Sequence, residues 1–197
     1  ESEFHSLVGL SGSCFAVRRE LCKNLATDIP SDFALLLEAQ RQGYRGVHAP
    51  DVIASYRAVR TEGEEFNRKV RTVLRGLTTL FARPEVMDPA RYGVFAWQVL
   101  SHKLLRWLVP WLLLLAGICT FIPAFDSMFY RGLLLLELGF LALAFLGGVS
   151  QDCRQRRFFR IPLFFVVVNA AIAVAWVRYW AGKRQVFWDP SQKAKSE

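Results

Sequence analysis

Apolar and polar positions change rhythm several times along the chain. From Leu7 to Val17 small and apolar residues dominate, with Gly9 and Gly12 among them. That pattern predicts a buried strand and turn, followed by a short helix opened by Arg18, Arg19 and Glu20. From Ser31 to Gly43 the residues Phe33, Leu35, Leu36 and Leu37 leave almost no polar face, so a helix packed inside a domain is expected. Pro30 precedes it, Ser31 suits the N-cap, Asp32 falls in the first turn and Gly43 suits the position just past the end. Tyr44 to Pro50 and Val52 to Tyr56 read as two short strands. Thr61-Glu-Gly-Glu64 then forms a capping box for a second helix. Along that helix Phe66, Val70, Val73, Leu74, Leu77, Leu80 and Phe81 recur at helical spacing as one apolar stripe, and Arg83-Pro84 ends it.

From Pro89 to Arg106 aromatic residues (Tyr92, Phe95, Trp97) alternate with basic ones (Arg91, His102, Lys103, Arg106), as in a helix lying in a membrane interface. Three apolar runs follow: Trp107 to Ile122 without a charge, Gly132 to Val149 with only Glu137, and Ile161 to Trp180 with Arg178 in its last turn. Each comes close to the roughly 17–25 residues that cross a bilayer, and Trp, Tyr and Arg stand at their ends. The order strand, helix, strand, strand, helix ahead of them predicts half of an α/β domain. The expected organisation is an α/β part over 1–83, an amphipathic interface helix region over 84–106, and a transmembrane region with a basic tail over 107–197.

Charge sharpens this picture. The 197 residues are 53% hydrophobic and carry a net charge of +8, which suits a soluble part joined to a membrane part and facing anionic lipid or phosphorylated substrates. The long apolar runs argue against nucleic acid as a partner. The chain opens at Glu1, which reads as a fragment or a processed chain, and its first ten residues lack the pattern of a signal peptide. Cys14, Cys22, Cys119 and Cys153 show no metal-binding spacing, so reduced thiols and a cytoplasmic soluble part are expected. Arg154, Arg156, Arg157 and Arg160 place the connection between the second and third runs on the cytoplasmic side. An odd number of spans then puts the basic tail outside, unless one run is re-entrant. Glu137 and Arg178 fall at similar depth and are expected to pair.

Candidate chemistry is sparse. Asp32 sits at a helix N-terminus, where it is either a capping acid or a general base. Gly9, Gly12 and Ser13 either make a tight packing turn or bring backbone close to a ligand. Arg68, Arg71 and Arg75 share one helix face, either as a solvated surface or as a row suited to phosphate. His48 reads as a structural histidine.

Gly12-Ser-Cys-Phe-Ala-Val-Arg-Arg-Glu20, Ser31-Asp32-Phe33, Gly43-Tyr-Arg and Phe66-Asn-Arg-Lys-Val-Arg71, followed by a membrane tail, together resemble family 2 membrane glycosyltransferases. These are relatives of cellulose, hyaluronan and poly-N-acetylglucosamine synthases. The resemblance implies the second half of a GT-A-like domain and inverting transfer from a nucleotide sugar to an acceptor hydroxyl, in cell-surface polysaccharide or glycolipid synthesis. Asp32 matches the second acid of the family's catalytic pair, with Ser31 in the place of the first. Arg71 matches the arginine associated with the nucleotide diphosphate. Arg68, Gly12 and Ser13 would assist in binding substrate. Thr72 stands where processive synthases carry Trp. No Asp-x-Asp occurs in the chain, so the divalent metal (Mg or Mn) expected of the complete enzyme has its ligands elsewhere, and this chain alone is expected to be inactive. The implied partners are a nucleotide sugar, a sugar or lipid acceptor, and membrane lipid, at the inner membrane with the catalytic part cytoplasmic. The competing reading is a non-catalytic membrane protein whose basic part binds lipid or a partner.

Overall fold

The computed structural model describes residues 3–10, 12, 14–23, 31–55 and 62–184. Helix accounts for 76% of it, and no strand occurs among the described residues. The α/β expectation is therefore overturned. Leu7 and Gly46 show why the segments read as strands do not build a sheet. Leu7 N–H donates to Gly46 O at 3.0 Å, but the Gly46 N–H is taken by the Ser6 hydroxyl at 2.9 Å instead of by a backbone carbonyl. The ladder stops at one rung, and isolated strand pairs are marginal without further strands. A Cβ on Gly46 would stand 2.6 Å from Leu36 Cδ1, so the extended segment lies directly on the first helix.

The seven α-helices among the described residues are α1 (Ser31–Arg41), α2 (Glu62–Ala82), α3 (Pro89–Val99), α4 (Arg106–Phe121), α5 (Met128–Val149), α6 (Gln151–Gln155) and α7 (Arg157–Trp180). They fall into two compact units. The first holds the chain through Arg106 together with the segment from Ala175 onward, and the second spans Trp107–Val174.

In the first unit α1 ends as its sequence foretells. Gly43 adopts φ +80°, its N–H bonds Gln40 O, and Tyr44 N–H bonds Ala39 O at 2.8 Å. This is a Schellman ending, which needs a residue free of Cβ strain at that place. Leu36 and Leu37 of α1, and Val70, Leu74, Leu77 and Leu80 of α2, are all but inaccessible to solvent. Full burial of each such side chain stabilises the fold by about 1.5–3 kcal/mol. Val86, Phe95 and Val99 complete this core, and the half-buried Phe81 ring meets Trp176 and Tyr179 at 5.8 and 5.5 Å. Phe95 and Val99 lie in the stretch read as an interface helix, where Trp97 on the other face is 66% exposed. Gly93 bends α3 with φ +52°, and a six-residue π-helical turn, Leu100–Leu105, follows α3 directly.

In the second unit the helices are apolar on nearly every side, and Leu136 and Phe145 stay 72% and 70% exposed. Large apolar side chains left open on this scale belong in lipid. Three helical stretches, Pro89–Phe125, Met128–Val149 and Arg157–Trp180, are long and apolar enough to cross a membrane. The three apolar runs of the sequence lie within them. Glu137 accepts a hydrogen bond from Thr120 Oγ1 at 3.1 Å. The structure thus gives this acid a neighbour in its own unit, where the sequence suggested Arg178. Between α5 and α7, Arg154 donates to Gly147 O at 3.1 Å and to Gly148 O at 2.7 Å, closing carbonyls that α5 leaves open at its end. Gly147 meets Phe159 closely and the Phe140 ring meets Phe165 edge-on at 5.6 Å, so α5 and α7 run antiparallel in this unit.

Candidate functional site

Asp32 occupies the first turn of α1, where the free N–H groups and the helix dipole favour a negative charge. Its carboxylate is only partly accessible. A Cβ placed on Gly12 would lie 3.3 Å from Asp32 Oδ2, so Gly12 comes against the carboxylate in the way its lack of a side chain permits. Two separate motifs of the sequence thus meet at one point. Ser13, the weaker candidate acid Asp28 and the capping residue Thr61 lie outside the described residues, as does Tyr56 of the second expected strand.

A cation that sequence reasoning passed over stands beside them. The Lys103 ammonium lies 5.1 Å above the centroid of the Phe33 ring, next in sequence to Asp32. Its Nζ would be 2.8 Å from a Cβ on Gly9. Gly9 and Gly12 therefore each admit a charged group from a different helix, a cation at one and an acid at the other. The signal in the sequence was slight, a lysine in an aromatic and basic stretch that also suits a lipid interface.

The arginine row behaves unevenly. Arg68 grips Glu65 with two parallel bonds of 2.8 Å, and Lys69 reaches the same carboxylate at 3.2 Å. The Arg68 bond, joined by Lys69, holds the Glu65 carboxyl below its usual range against the opposing effect of burial. Arg68 is thus already engaged, whereas Arg71 and Arg75 sit half-buried further along α2. Glu38 gathers a second cluster, with Gln42 donating at 3.0 Å, Arg41 at 3.0 Å and Arg83 at 3.9 Å. The Gln42 bond, supported by the charges of Arg41 and Arg83, pulls the Glu38 carboxyl down while burial pushes the other way. Arg41 also reaches Glu85 at 3.5 Å, which ties the end of α1 to the turn after α2.

Among the described residues no group of three or more His, Cys, Asp or Glu is placed to hold a metal ion. His48 is exposed in the extended segment. The four thiols are free. Comparison with known proteins returns no matching family model, no similar curated protein and no similar solved structure.

Proposed function

We propose that this chain is part of a membrane-bound glycosyltransferase that moves a sugar, with inversion, from a nucleotide sugar to an acceptor hydroxyl in cell-surface polysaccharide or glycolipid synthesis. The observation that carries the reading is the approach of Gly12 to the Asp32 carboxylate, which joins two of the motifs behind the family resemblance. A free hydroxyl is a poor nucleophile. In this scheme the acceptor oxygen attacks the anomeric carbon, the bond to the diphosphate breaks, and Asp32 takes the hydroxyl proton. Arg71 steadies the departing diphosphate through charge-assisted hydrogen bonds, and Arg68 adds positive charge nearby on α2. A divalent metal bound by residues of the complete enzyme would neutralise further diphosphate charge. The reading does not require the α/β half-domain that the structure contradicts.

The test is Asp32→Asn in the complete protein, with Asp28→Asn beside it. Loss of the base slows transfer by about 10²–10⁴-fold. A capping acid tolerates Asn, which keeps a side-chain oxygen for the helix end. A variant that folds, binds nucleotide and transfers at the parent rate refutes the assignment. The second reading, a non-catalytic membrane protein with a lipid- or partner-binding basic part, draws on the engagement of Arg68 by Glu65, which takes one cation out of the supposed phosphate row.

A further inference from the structure

Val8, Gly9, Ser101, His102, Lys103 and Arg106 line an open hollow of about 390 Å³ in the first unit. None of them is acidic. We infer that this hollow is a binding site for a phosphate group, held by Lys103 and Arg106 with Ser101 and His102 as polar partners.

Three features support the site. The residues Ser101, His102 and Lys103 fall in the π-helical turn Leu100–Leu105, and Arg106 follows as the first residue of α4. Such turns interrupt regular helices mostly where function needs a local change of direction. Secondly, Gly9 is required: any side chain there would collide with the Lys103 ammonium, 2.8 Å from the Cβ position. The ammonium is also positioned by the Phe33 ring beneath it, so less ordering remains when an anion arrives. Thirdly, His102 Nδ1 lies 3.2 Å from Gln98 O. A carbonyl only accepts, so Nδ1 carries the proton and Nε2 is the ring atom left for other partners.

Phosphate fits this set better than a carboxylate does. A lysine point charge, an arginine fork and a hydroxyl match an anion with several oxygens. The site also stands where the chain passes into a helix long and apolar enough to span a membrane, and phosphate is the common anion at such a boundary. The group has two possible sources, a lipid headgroup or a nucleotide diphosphate. The inference concerns binding alone, so it survives if Asp32 proves to be only a cap.

The experiment uses the full 197-residue chain in phosphatidylcholine nanodiscs. One arm titrates UDP by calorimetry. The other adds phosphatidic acid to the nanodiscs and counts bound lipid by native mass spectrometry. Binding in at least one arm is expected, and Lys103→Gln and Arg106→Gln each weaken it by about tenfold or more. Lys103→Arg keeps most of it, which separates lost charge from lost folding, and Arg91→Gln on the exposed surface changes nothing. Response to UDP alone assigns the site to a nucleotide, and response to phosphatidic acid alone assigns it to lipid. The inference is overturned if the parent binds neither, if both Gln variants bind as the parent does, or if Arg91→Gln loses as much as they do.

Discussion

Thr120 Oγ1 stands 3.1 Å from Glu137 Oε1 and 2.9 Å from Ala116 O, although a hydroxyl has one proton to give. One of the two acceptors is thus always short of a donor. Glu137→Gln supplies an amide N–H for Thr120 Oγ1 while the hydroxyl serves Ala116, so this variant should match or exceed the parent in thermal stability in detergent. Thr120→Val, which leaves Glu137 without its neighbour, should cost about 0.6–1.7 kcal/mol. A Gln variant less stable than the Val variant would show that the pair is not what holds these helices.

The arginine row on α2 should respond in graded fashion. Arg71→Ala should lower nucleotide affinity or turnover of the complete protein by tenfold or more, since a charge-assisted bond is worth about 1.5–3 kcal/mol. Arg75→Ala, further along, should do less. Arg68→Ala should change stability by only about 0.3–0.5 kcal/mol, because it removes an exposed pair one turn long. Equal small effects at Arg71 and Arg75 in a nucleotide-binding assay would mark the row as a solvated surface.

Acid should loosen the first unit through Glu38. Its carboxyl is held below its ordinary value by Gln42, Arg41 and Arg83, so its contribution is complete above the unfolded value of about 4.3 and fades as pH falls through the lower folded value. Unfolding followed between pH 5 and 3 should show a stability loss that is smaller in Glu38→Gln. Parallel pH curves for variant and parent would remove Glu38 from the explanation.

The proposed orientation can be read from thiols. Cys14 and Cys22 precede the spans, and Cys153 lies in α6 between the last two. With that connection and the soluble part on the cytoplasmic side, a membrane-impermeant maleimide should spare all three in intact cells and modify them once the membrane is opened. Labelling of Cys153 in intact cells would reverse the assignment.

How much of this was legible in the sequence depended on the range of the interactions involved. The helix over Ser31–Arg41, its ending at Gly43, the α2 stripe and the three spans follow from neighbours within a few residues or from simple length, and each was readable. Val52 to Ser55 and Tyr44 to Pro50 looked like strands because their residues favour pleated surfaces, but that preference is fulfilled only by partners distant in sequence. Leu7 and Gly46 supply a single rung. Arg68 looked available until the fold showed Glu65 closing on it. Lys103 was taken as one cation of an interfacial helix, since no local pattern announces that it will rest on Phe33, 70 positions earlier.

The Arg154 clamp has a consequence for how the protein is made. Leaving the ribosome, α5 reaches the bilayer with Gly147 and Gly148 carbonyls open at its end, and the guanidinium that closes them arrives only with α6. Phe159 then settles against Gly147, and α7 is turned back along the path that α5 took. The last two spans are thereby one unit of biogenesis. A chain stopped after Val149 would expose bare carbonyls at the edge of the hydrocarbon and become a substrate for membrane quality control, whereas a chain carried through α7 would escape it.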